Sequence, residues 1–175
     1  NASGNTWTAA YTANTSDTNG TVAYSIAFSD LSSNAGTAVT SGSGSVTFDK
    51  TAPVLSSFAA IASNNSTTTL AKVSDVVTLT FTTNETISTP VVTFESGSAA
   101  IADTSITYVN TSGNTWTAAY TTDGADTDGS VTYSIAYSDL AGNAQSPASS
   151  GSGSVTFDKT APTLSSVGIA SDNTT

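Results

Sequence analysis

Two stretches of the chain are the same text. Ser3-Gly4-Asn5-Thr6-Trp7-Thr8-Ala9-Ala10-Tyr11 returns letter for letter as Ser112 to Tyr120, and Asp49-Lys50-Thr51-Ala52-Pro53 returns as Asp158 to Pro162. Trp7 and Trp116 set the period at 109 residues, and residues 3–57 align with 112–166 at 39 identities in 55 positions without a gap. A repeat of that length is a whole small domain, since solenoid units run only roughly 20–45 residues. With the Ala-Pro dipeptides as boundaries, residues 1–52 read as the second half of a unit, 53–161 as a complete unit and 162–175 as the first strand of a third. Nothing in the two end pieces corresponds to residues 68–109, so the phase predicts a piece of a longer tandem array.

The complete unit breaks into short apolar runs separated by turn residues, which predicts an all-β sandwich. Leu55, Phe58 and Ile61 open it, and the Asn64-Asn65-Ser66 turn follows. Val77, Leu79 and Phe81 alternate with Val76, Thr78, Thr80 and Thr82, a period of two that turns one face inward and a Thr-rich face outward. Val92 and Phe94 come after Pro90, whose missing N–H suits the start of a strand or an edge. Ile106 and Tyr108, then Trp116, Ala118 and Tyr120, then Val131, Tyr133, Ile135 and Tyr137, and last Val155 and Phe157 complete seven runs in about 109 residues, with no helical periodicity. The aromatics fall on inward parity, so core packing is expected of them.

Ser138-Asp139-Leu140-Ala141-Gly142-Asn143-Ala144, followed by Phe157-Asp158-Lys159-Thr160-Ala161-Pro162-Thr163-Leu164, resembles the bacterial immunoglobulin-like repeats strung along giant secreted adhesins and other surface fibre proteins. Those repeats carry an Asp-x-Ala-Gly-Asn turn and an Asp-x-Thr-Ala-Pro junction. The resemblance implies tandem immunoglobulin-like β-sandwiches, extracellular, acting as a stalk, fibre or biofilm-matrix element. The first copy departs from the pattern with Asp30-Leu31-Ser32-Ser33-Asn34, so that turn must rest on its Asp and Asn.

Composition narrows the chemistry. The chain has no Cys, His, Met or Arg, and 3 Lys face 13 acidic residues for a net charge of −10. Such a chain is repelled by phosphate backbones and anionic lipid, so neither nucleic-acid partners nor insertion of this segment into a membrane is expected. Without His or Cys there is no Ser-His or Cys-His nucleophile pair, and the two Glu residues, Glu85 and Glu95, sit on different strand ends; no catalysis is expected. The three lysines, Lys50, Lys72 and Lys159, include two at junctions, which does not suit a Lys-Asn isopeptide bond in a strand interior.

Hard oxygen donors are what the sequence has in quantity, and they suit calcium. Asp123, Asp126 and Asp128 lie in one glycine-flanked loop, with Asn14, Asp17 and Asn19 as the weaker equivalent set. Sandwich topology adds a second candidate. Loops at the pole where one unit meets the next bring Asp17, Asn19 and Asp49 of the lower unit to face Asn84, Glu85, Asp139 and Asn143 of the upper, with Asp158 the counterpart of Asp49 at the second junction. The expected partners are neighbouring repeats of the same polypeptide, and other copies in a fibre. Two rival readings remain open: a ligand- or glycan-binding module, which requires outward-facing Trp or Tyr, and a self-assembling filament subunit with strand exchange between chains.

Overall fold

The computed structural model describes residues 5–172, the Phe58 side chain excepted. It is an all-β architecture, without helix among the described residues. In chain order the strands are β1 (Gly20–Thr21), β2 (Thr47–Phe48), β3 (Leu55–Ser63), β4 (Leu70–Ala71), β5 (Val76–Thr83), β6 (Val91–Ser96), β7 (Ala99–Ala100), β8 (Thr107–Ser112), β9 (Thr115–Thr121), β10 (Gly129–Ala136), β11 (Gly151–Ser152) and β12 (Thr156–Phe157).

Residues 53–161 hold two five-stranded sheets, ordered β11-β3-β5-β9-β8 and β4-β12-β10-β6-β7, an arrangement compatible with a β-sandwich. Alternation in β5 is complete: Val77, Leu79, Phe81 and Thr83 are buried, while Val76, Thr78, Thr80 and Thr82 lie at the outer face. On the second sheet β10 pairs antiparallel with β6, setting Ile135 opposite Val92 and Tyr133 opposite Phe94. Buried side chains of both sheets form one cluster, in which the rings of Phe94 and Tyr120 stand 4.8 Å apart at 41°. A tilted aromatic pair of this kind adds about 0.5–1.5 kcal/mol beyond its buried area. Each of the seven apolar runs falls on a strand or at its end. The three strands that no run announced, β4, β7 and β11, are two residues long.

Residues 5–52 look different, for a physical reason. They carry the counterparts of β9 to β12 without those of β3 to β8. Only β1 and β2 form a ladder there, with isolated bridges at Ile26–Val39 and Ser29–Ala35. Trp7 is 74% exposed and Tyr11 59%, whereas, of their counterparts, Trp116 is partly buried against the core and Tyr120 lies within it at 2%. Backbone groups and apolar faces order into a sheet only when a neighbouring strand takes up both. The turns survive, however. Asp30 accepts from the N–H of Asn34 at 2.9 Å and from its carboxamide at 2.8 Å, and Asp139 repeats both contacts with Asn143 at 2.8 and 2.7 Å. These turns close locally and do not need the missing strands.

Candidate functional site

The site lies where Asp49-Lys50-Thr51-Ala52-Pro53 runs from one unit into the next. Asp49 is held by its own linker. Its Oδ1 accepts from the N–H of Thr51 at 3.0 Å and from the Asn19 carboxamide at 3.1 Å. Asn19 also donates to the Thr51 hydroxyl at 2.7 Å and accepts from the N–H of Lys50 at 3.0 Å, so one side chain fixes three successive linker residues. The Lys50 ammonium donates to the carbonyls of Thr15 and Asp17 at 2.9 and 2.6 Å, tying the linker to the lower unit's loop.

The upper unit meets this linker with two loops. Asn84, just past β5, exchanges bonds with Val54: its N–H donates to the Val54 carbonyl at 3.0 Å, and its Oδ1 accepts from the Val54 N–H at 2.8 Å. That clip places the next residue, Glu85, beside the linker, and the Thr83 hydroxyl holds the Glu85 carbonyl at 2.7 Å. The second loop is the Asp139–Asn143 turn. Burial pushes the Asp139 carboxyl up, but the Asn143 carboxamide and the N–H groups of Asn143, Gly142 and Ala141 outweigh it and hold the group below the usual carboxylate range. Asn143 spans the joint: besides Asp139, its carboxamide donates to the Asp49 carbonyl at 3.1 Å.

Carboxylate oxygens of Asp49, Glu85 and Asp139 thereby lie within 4.8 Å of one another. They face an open recess completed by Thr47, Thr86, Leu140 and Ala141. Three carboxylates in a water-accessible cleft suit a hard cation that takes six to eight oxygens, with water supplying the remainder. The donors fit calcium in kind, and the residues come from both units.

The other carboxylate candidates are placed apart from this trio. Asp17 accepts from the Tyr11 hydroxyl at 2.9 Å and from the Asn14 N–H at 2.7 Å, inside its own loop. In the loop of the complete unit, Asp126 is buried and accepts from the N–H groups of Ala102 at 2.7 Å and Asp123 at 2.9 Å. Asp123 accepts from the Ala125 N–H, and Asp158 from that of Thr160, both at 2.8 Å. Asp128 accepts from the N–H of Lys159 at 3.0 Å and from the Thr160 hydroxyl at 2.9 Å; the Lys159 N–H contributes most to drawing its carboxyl down. These carboxylates face backbone and hydroxyl donors rather than one another.

A cation does sit against that loop, and it belongs to the chain. The Lys159 ammonium donates to the carbonyls of Gly124 and Asp126 at 3.0 and 2.7 Å, the contacts that Lys50 makes one period earlier. Reading the lysines only for isopeptide chemistry missed this. The available signal was the invariant spacing of each Lys after its loop, 33 residues from Asp17 and from Asp126. Comparison of the chain with family models, with characterised proteins and with solved structures gives no match. No helix among the described residues is long and apolar enough to cross a membrane.

Proposed function

We propose that the chain is a segment of a tandem immunoglobulin-like array, seven principal strands per 109-residue unit, serving as a spacer or stalk in a large extracellular bacterial surface protein. Its role is mechanical rather than catalytic, and calcium at the joint sets how freely one unit swings on the next. The observation that carries the reading is the convergence of Asp49 from one unit with Glu85 and Asp139 from the other, bridged by Asn143. Three carboxylates this close repel, and a divalent cation converts the repulsion into a tie between units. The uncharged Ser, Thr and Asn surface and the net charge of −10 suit an exposed, soluble fibre. A glycan-binding module is less well supported, because Trp116 packs against the core of the complete unit and Tyr120 lies inside it.

Calorimetric titration and small-angle scattering of the full chain test this. Calcium is expected to bind with measurable heat, to raise the melting temperature and to narrow the distribution of interunit distances, each reversed by chelator; about 2.7 kcal/mol of stabilisation accompanies calcium at a hundred times its Kd. Asp139→Asn is expected to weaken binding about tenfold or more. Absence of heat, of a melting shift and of any change in scattering on adding calcium would refute the proposed joint.

A further inference from the structure

Positions 19 and 128 are the same place one period apart, and they carry two chemical forms of one side chain. Asn19 accepts from the Lys50 N–H through its Oδ1, and its amide nitrogen donates to the Thr51 hydroxyl and to Asp49. Asp128 accepts from the Lys159 N–H through its Oδ1 and from the Thr160 hydroxyl through its Oδ2. Both clips keep the same backbone bond and the same threonine, whose hydroxyl accepts in the first and donates in the second. What differs is the tie to the carboxylate that heads the linker. Asn19 donates to Asp49, whereas a carboxylate at 128 has no proton to give Asp158. The second clip is what the first becomes once the Asn19 amide is hydrolysed.

Asn19 is the one asparagine in the sequence that precedes a glycine. The nitrogen of the following residue can attack a carboxamide carbon, and glycine presents that nitrogen without a side chain in the way. At Gly20, φ is +136° and nothing lies within 4 Å of where a Cβ would stand, whereas at Gly129 the Gly97 Cα is 2.8 Å from that point. Asn19 and Gly20 are exposed, and the ladder that begins at Gly20 has only two residue pairs, so the backbone there opens at little cost. The Lys50 N–H polarises the Asn19 carbonyl toward attack. Asp128 also precedes a glycine, but the donors around it keep its carboxyl ionised, and a carboxylate is a poor electrophile.

We propose that Asn19-Gly20 is a self-modification site at which the joint gains a further carboxylate. The Gly20 nitrogen bonds to Asn19 Cγ and gives up its proton; the Cγ–Nδ2 bond breaks, and the amide nitrogen leaves with that proton as ammonia, closing a succinimide. Water then opens the ring. Addition at Cγ leaves aspartate at position 19, and addition at the main-chain carbonyl leaves an isoaspartyl linkage. The product keeps the contacts seen at Asp128 and meets Asp49 as a like charge instead of a donor.

The full chain, held warm in neutral calcium-free buffer, tests this by peptide mapping in the mass spectrometer, with labelling by isoaspartyl methyltransferase as a second readout. Asn19 is expected to exchange amide for acid at least about tenfold faster than any other asparagine, and Gly20→Ala to slow that exchange by about tenfold. The melting transition of the complete unit, which neither residue joins, should be the same in both forms. An Asn19 that stays intact or converts no faster than the other asparagines, or an equal rate in Gly20→Ala, would overturn the site. Its consequence for calcium rests on the proposed joint: Asn19→Asp, the product made by substitution, is expected to bind calcium severalfold more tightly than the parent chain. Absence of calcium binding in both forms, with the conversion intact, would overturn the joint and leave the modification site standing.

Discussion

Position 142 shows what one residue contributes to the joint. Gly142 has φ +92° in the turn that presents Asp139, and the first copy puts Ser33 at φ +67° in the equivalent place. The turn therefore forms with either residue, held by its Asp and Asn, but a side chain there is strained. Gly142→Ser is expected to lower the stability of the complete unit by about 1–2 kcal/mol, read from urea midpoints, and Ser33→Gly to relieve the equivalent strain. Asp75 carries a second prediction. The Asn65 carboxamide is the largest influence on it; with the Lys72 N–H and ammonium it outweighs burial and holds the carboxyl below its ordinary value. A group depressed in the folded state contributes stability that is present above its unfolded pKa, about 3.9, and is lost as pH falls through the lower folded value. Melting temperature should thus be level down to about pH 5 and fall below about pH 4. Asn65→Ala should flatten that acid limb in melts run from neutral pH downward.

Among the elements, the long strands announced themselves, and of the two-residue strands in the complete unit only β12 did, through Val155 and Phe157. β5 was legible because Val77, Leu79 and Phe81 need the same side of a pleat and the threonines between them tolerate the other. β4, β7 and β11 span two residues each, too few for any periodicity, and Gly151–Ser152 offers no apolar side chain to read. Their pairing is decided by backbone approach, which a sequence states only through glycine. Gly151→Ala makes that visible: the methyl group must displace the Ala59 carbonyl or Tyr133, and a loss of about 1–3 kcal/mol is expected in chemical unfolding. The joint was legible only through topology, since Asp49, Glu85 and Asp139 are far apart in sequence and share nothing but a pole. Asp123, Asp126 and Asp128 show the converse: spacing placed three acids in one loop, and the backbone N–H groups and hydroxyl that claim them had no sequence signature.

At the scale of the molecule, two tryptophans report on two kinds of structure. Trp7 stands in residues 5–52, where the partner strands are missing, and Trp116 packs against the core of the complete unit. A neutral quencher should reach Trp7 freely and Trp116 poorly. Trp7→Phe should leave the cooperative melting transition in the remaining fluorescence, while Trp116→Phe should remove most of it. A single uniformly quenched population would contradict the difference between the two segments. The lysine contacts reach further still. Lys50 and Lys159 each give their ammonium to two loop carbonyls, whereas the Lys72 side chain is 69% exposed beside Asp75. An amine that must break two hydrogen bonds before presenting a lone pair is a slow nucleophile. To an acylating or cross-linking reagent, each repeat would therefore offer one fast handle, on the flank near β4, and the joints would be marked more slowly.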